Sequence, residues 1–201
     1  PETAYVEEYH PPSIREKKGI VYCSVGERKL LLDAFYPKGK SNAKRIAIII
    51  IHGGGWRSGD RSQHHPLAQQ LANRGYVCFT PQYRLSTEAL YPAAVHDIKT
   101  SIRWVKDHAK QYGVDTNKVV VLGFSAGGQL AALIGNTNGQ PFFEGNNGTY
   151  AGSSAVQAIV DIDGTLSFIH PESGEGDDSK KISAATNWFG ASRKDNPALW
   201  E

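Results

Sequence analysis

The sequence predicts an α/β domain: a mostly parallel, twisted sheet with helices on both faces and an antiparallel hairpin at its N-terminal side. Three observations carry this. The run Arg45-Ile-Ala-Ile-Ile-Ile-Ile51 is β-branched without alternation, as expected of a strand buried on both faces. From there to residue 162, strand-like and helix-period segments alternate. The 201 residues are 40% hydrophobic and 21% charged, which suits one sizeable core and excludes wholesale disorder.

Taken in order, residues 1–18 read as a polar N-terminal arm with Pro11-Pro12, and 19–201 as the domain. Residues 19–25 and 30–36 form a hairpin around Gly26-Glu27-Arg28. A polar loop, 38–44, leads into the strand 45–51. Residues 62–74 place Leu67 with Leu71 and Ala68 with Ala72 at helical spacing, and Gly75 stops the helix. Tyr76 to Thr80 is a strand closed by Pro81. Val95, Ile98, Ile102 and Val105 lie on one stripe of a helix over 93–112, before Gly113. Strands at 118–122 and 155–162 flank an Ala/Leu-rich helix at 126–134, and a last helix covers 182–189. Residues 135–154 and 164–181, rich in Gly, Asn, Ser and acids, read as mobile loops near the carboxyl edge of the sheet.

Composition narrows the function. Lys+Arg and Asp+Glu number 22 and 20, a net charge of +2, so nothing points to nucleic acid or an anionic membrane. The longest strictly apolar run, Ile46 to Ile51, is far short of the roughly 18 residues of a membrane span. Cys23 and Cys78 sit in strand-like segments and read as buried thiols. No Cys/His spacing fits zinc, and no phosphate loop or dinucleotide fingerprint appears, so no metal or cofactor is expected. The chain has no methionine and starts Pro1-Glu2-Thr3; a removed leader would place it in the periplasm or outside the cell. Asn147-Gly148-Thr149 matches a glycosylation sequon by pattern alone.

Two motifs carry chemistry. Gly123-Phe124-Ser125-Ala126-Gly127 fits G-x-S-x-G between a buried strand and a helix. A nucleophile there sits on a sharp turn with its hydroxyl aimed into a cleft, and the crowded turn needs glycine two residues to either side. His52-Gly53-Gly54-Gly55-Trp56 follows the strand 45–51. Successive glycines expose backbone N–H donors, as a developing oxyanion requires.

With these motifs in this order, the chain resembles the α/β-hydrolase superfamily over roughly residues 19–165, and is most similar to hormone-sensitive-lipase-like carboxylesterases and bacterial carbohydrate (acetyl) esterases. Tyr83-Arg84-Leu85, Pro92-Ala93-Ala94-Val95-His96-Asp97, Arg103-Trp104-Val105 and Gly113-Val114-Asp115 extend the similarity. The resemblance implies Ser125 as nucleophile, with N–H groups of Gly54, Gly55 and Ala126 as the oxyanion hole. Trp56 and Tyr83 are expected near the cleft mouth, where aromatics line a substrate or pack the wall. The implied activity is hydrolysis of a small ester or acylated carbohydrate through an acyl-enzyme, acetyl on a polysaccharide being favoured.

The family places its catalytic acid after the seventh strand and its histidine after the eighth. Neither strand is found here, so the resemblance implies an incomplete hydrolase domain. Asp161, Asp163 and His170 are the residues present that could stand in, with Asp163 also a substrate-lining candidate, but their loop looks too loose to hold a base. His64 and His65, at a helix start, are expected to face solvent. A bare edge at the last strand invites self-association or a complementing fragment. The alternative reading is a ligand-binding hydrolase fold without a complete triad.

Overall fold

A computed structural model describes residues 8–39, 43–176 and 178–201. Six strands, β1 (Ile14–Val25), β2 (Arg28–Pro37), β3 (Arg45–Ile51), β4 (Val77–Pro81), β5 (Val114–Phe124) and β6 (Ala158–Ile162), form one sheet in the order β1-β2-β4-β3-β5-β6. The pairs β1/β2 and β2/β4 are antiparallel. The pairs β3/β4, β3/β5 and β5/β6 are parallel.

The β-branched run explains the layering. Ala47, Ile49 and Ile51 enter one core, Ile48 and Ile50 the other, and all five are buried. Burying each isoleucine side chain contributes about 2 kcal/mol of transfer free energy. The first core is covered by α2 (Ala93–Asp107) through Val95, Ile98, Ile102 and Val105, and by α4 (Ala126–Asn136) through Leu130, Ala131 and Ile134. The second is covered by α1 (His65–Asn73) through Ala68 and Ala72. Cys23 and Cys78 are buried free thiols, one in each core.

Several boundaries move. Ile14, Arg15, Glu16 and Lys17, assigned to the arm by their charges, pair with Pro37, Tyr36, Phe35 and Ala34 in β1. An edge strand can turn charged side chains to water while its backbone pairs, and this hides it from a hydropathy reading. Residues 1–7 of that arm lie outside the described residues. Val25 pairs with Arg28, so the hairpin turn is Gly26-Glu27 alone. The helix expected over 93–112 breaks at His108 (φ −94°, ψ 12°), whose ring Nδ1 meets the Trp104 carbonyl at 2.9 Å, and resumes as α3 (Ala109–Tyr112).

The loop 135–154 is tied down along α2 rather than free. It contains α5 (Pro141–Glu144), and the Glu144 carboxylate meets Lys99 Nζ at 3.1 Å and Arg103 at 2.9 Å and accepts from Ser154 Oγ at 2.8 Å. Lys99 is fully buried, and removing Glu144 would leave an uncompensated ammonium in the interior. The Asn147 amide of the sequon already donates to the buried Asp97 carboxylate at 2.9 Å. At the other margin, β6 leaves Ile159, Val160 and Ile162 38–40% exposed. No helix among the described residues is long and apolar enough to cross a membrane.

Candidate active site

Register brings the functional segments to one edge. Ile51 of β3 lies opposite Gly123 of β5, and Phe124 lies opposite Ile162 of β6. His52, Ser125 and Asp163 therefore leave adjacent strands at the same edge.

Ser125 is exposed, with φ 53° and ψ −122°, between β5 and α4. A non-glycine residue at positive φ costs on the order of 1–3 kcal/mol and persists only where neighbours hold it. Two backbone bonds do so here: Ser125 N–H donates to the Ile162 carbonyl at 2.9 Å, and its own carbonyl accepts from Gln129 N–H at 3.0 Å. Close approach requires the glycines. A Cβ on Gly127 would run into the carbonyl oxygens of Ile51 and His52, so the first turn of α4 presses directly on the end of β3. A Cβ on Gly53 would lie 2.8 Å from the Phe124 carbonyl oxygen and 3.3 Å from the Ser125 Cβ, which places the glycine loop against the serine.

The loop turns so that its amides stay open. The Gly54 carbonyl accepts from Arg57 N–H (3.1 Å), Ser58 N–H (3.0 Å) and Ser58 Oγ (3.0 Å). Among the described residues, no acceptor takes the N–H of Gly54 or Gly55. Ala126 is the first residue of α4, so its N–H has no intrahelical acceptor either. Open amides on this loop and at the first turn of α4 are suited to a negative oxygen.

The segment after β4 braces this loop from behind. Tyr83 Oη donates to the His52 carbonyl at 3.0 Å and its ring stacks on the His52 imidazole at 4.3 Å. Ser86 N–H donates to the Trp56 carbonyl at 2.7 Å. Arg84 grips the buried Asp97 carboxylate with Nε and Nη2 at 2.8–3.2 Å, and its backbone N–H adds a third donor at 2.9 Å. This clamp is a supporting feature that the sequence does not announce: both residues lie in recognisable motifs, but no spacing rule joins them.

Tyr83 and Trp56 are wall residues and do not line a cleft mouth: they are 2% and 3% exposed. The Trp56 ring stacks on Trp188 at 4.8 Å and its Nε1–H donates to Gln129 Oε1 at 3.2 Å, which consumes both its face and its polar atom. Asp163 is exposed at the end of β6 with φ 59°. His170 is exposed, and its Nδ1 accepts from Glu172 N–H at 3.2 Å, so it caps its own turn and reaches neither Ser125 nor Asp163. The stand-in arrangement Asp163–His170–Ser125 is not assembled.

None of the seven histidines, all among the described residues, hydrogen-bonds Ser125. His52 is buried, with Nδ1–H donating to the Gly53 carbonyl at 2.9 Å, and burial lowers its pKa. His64 and His65 are not solvent-facing as expected. His64 stacks on Phe124 at 4.2 Å, and burial, with a smaller effect from the charge of His52, brings its pKa down to about 4. His65 is buried, its Nε2 2.9 Å from Asp33 and its Nδ1 3.0 Å from Glu8. Burial pushes the Asp33 carboxyl up, but hydrogen bonds from His65, the Gly19 N–H and Arg61 outweigh it and hold the pKa down. Glu8, His10 and Glu16 bring possible ligand atoms within 4.8 Å of one another, but Lys18 Nζ, 3.2 Å from Glu8 and 3.8 Å from Glu16, already supplies positive charge there. Beside Gly54 and Gly55 opens a groove of about 500 Å³, whose walls include Arg57, Ser58, Lys181 and Asn187.

A serine on a strained strand-to-helix turn, set against a glycine loop at the edge of this mixed sheet, defines an α/β-hydrolase fold of the hormone-sensitive-lipase-like esterase kind. Residues 32–201 match the BD-FAE family, and the chain belongs to it. It is similar to LipM of Mycobacterium tuberculosis, a probable carboxylic ester hydrolase, at 37% identity over 122 residues that cover 60% of this chain and 28% of LipM. The chain spans about a third of the length of the curated relatives it matches. Among solved structures, a truncated carbohydrate esterase from gut microbiota superposes with a TM-score of 0.75 at 27% identity, over 90% of this chain and 68% of that one. Thermogutta terrifontis esterase 2, phosphorylated by paraoxon, superposes with a TM-score of 0.67 at 32% identity, over 86% of this chain and 65% of that one.

Proposed function

We propose that this chain carries the nucleophile and oxyanion site of a serine carboxylic-ester hydrolase that works through an acyl-enzyme. The observation that supports it best is the exposed Ser125 at φ 53°, packed against Gly53, which is followed along its own loop by the N–H groups of Gly54 and Gly55, unclaimed among the described residues. In this reading Ser125 Oγ attacks the ester carbonyl carbon and its proton passes to a general base. The N–H groups of Gly54, Gly55 and Ala126 take the charge of the tetrahedral oxygen, the alcohol leaves with the proton, and water then releases the acid. No histidine among the described residues meets Ser125, so in this reading the base is an imidazole that approaches the serine from elsewhere, with the β6 margin as the open side. The favoured substrate is a short acyl ester, acetyl on a carbohydrate first; the likeness to a gut carbohydrate esterase supports that choice.

Paraoxon treatment followed by peptide mass mapping tests the reading. A diethylphosphoryl group on Ser125, absent in Ser125→Ala, supports it, and a burst of p-nitrophenol from p-nitrophenyl acetate supports the acyl-enzyme. The missing base favours a second reading, a ligand-binding hydrolase fold. No adduct and no burst in the protein with that base in place would favour that one.

A further inference from the structure

The groove beside the glycine loop holds charge that the proposed chemistry leaves unused. It has a volume of about 500 Å³, and Gly54 and Gly55, the proposed oxyanion donors, are part of its wall. Gly53, one residue back along the same loop, lies against Ser125. The groove therefore opens one residue along the loop from the position packed against the serine. Arg57 and Lys181 both line it, and both are exposed. Among the described residues no carboxylate forms an ion pair with either, whereas Arg28, Arg61, Arg84 and Arg103 each have one. Arg57 has a neutral partner instead, Asn187 Oδ1 at 3.4 Å, which leaves its charge uncancelled while restraining where it points. Ser58 and Asn187 add polar groups to the same walls.

Resting on the hydrolase reading, we propose that this groove is an anion subsite: it takes a carboxylate borne by the ester substrate, held by the Arg57 guanidinium and the Lys181 ammonium. Two uncancelled cations beside the donors for the oxyanion select esters with a negative substituent over their neutral isosteres. The carboxylate can belong to an acidic sugar or to an aromatic acid, and both present the same planar anion to a guanidinium.

Binding tests this without turnover. The chain is titrated with two matched pairs, D-glucuronate against D-glucuronamide and 4-hydroxybenzoate against 4-hydroxybenzamide, and backbone amide shifts are followed by NMR. The expected result is a preference for at least one carboxylate of roughly 3–30-fold, the scale of one or two partly exposed charge contacts. Shifts should centre on Gly54, Gly55 and Ala184. The preference should fall to near unity in the Arg57→Gln/Lys181→Gln double variant and in about 0.5 M NaCl, where screening acts within about 4 Å. Arg57→Lys with Lys181 intact should restore part of it. The pair with the larger preference identifies the sugar or the aromatic source. Equal affinity within both pairs, shifts elsewhere, or a preference that survives the double substitution overturns the subsite. Paraoxon labelling of Ser125 reports separately on the hydrolase reading, so either can fail alone.

Discussion

The carboxyl ends of β5 and β6 lie side by side, and each is followed at once by a non-glycine residue at positive φ, Ser125 at 53° and Asp163 at 59°. The backbone peculiarity is the same, but the surroundings differ. Ser125 is bonded through both its amide and its carbonyl, with Gly53 and Gly127 bringing backbone into contact around it. Asp163 is exposed, has no hydrogen bond among the described residues, and belongs to a residue type that tolerates the left-handed region in turns. Positive φ therefore marks a site only where packing holds the residue against its own preference; elsewhere it is ordinary turn chemistry.

Substitutions can sharpen or break this contrast. The largest effect is expected from Ser125→Ala, with paraoxon labelling lost and, in the protein with its base in place, ester turnover down by at least ~10³-fold, read by mass mapping and p-nitrophenol release. Gly127→Ala should destabilise by about 3 kcal/mol in urea melts, because its methyl meets two backbone carbonyls that cannot swing aside. A melt within ~0.5 kcal/mol of the parent would mean that the elbow is not held as described.

Acidification comes next. The His64 ring, against Phe124, has a folded pKa of about 4 because burial disfavours its charged form. Between about pH 6.5 and that value the unfolded chain binds a proton that the folded chain refuses, so stability falls as the pH is lowered through this window. The loss should be ~2 kcal/mol after allowing for partial exposure, and His64→Leu should shrink the gap between melts at about pH 7 and about pH 5. Tyr83→Phe removes the bond to the His52 carbonyl and should lower stability by about 1 kcal/mol while slowing paraoxon labelling. At the β6 end, Asp163→Asn should stay within ~0.5 kcal/mol and change labelling less than about twofold. A large loss there would erase the distinction between the two strand ends.

Much of this was readable from residue types. The unbroken Ile run of β3 announced burial on both faces because a half-solvated strand cannot afford consecutive apolar side chains. The glycine spacing around Ser125 announced the elbow because only backbone fits there. What escaped depends on partners distant in sequence. Arg84 finds Asp97 across the loop that leads into α2, Trp56 turns inward because Trp188 offers it a face, and His65 is buried because Asp33 and Glu8 come to meet it. The first residues of β1 were hidden because an edge strand keeps its charges wet while its backbone pairs.

The bond from the Ser125 amide to the Ile162 carbonyl makes the sheet's margin mechanically part of the elbow. Any pull or push along the outermost strand arrives, one hydrogen bond later, at the dihedral that aims the hydroxyl. Whatever docks along that margin is thus coupled to the Ser125 hydroxyl through a single peptide group, with no longer relay needed.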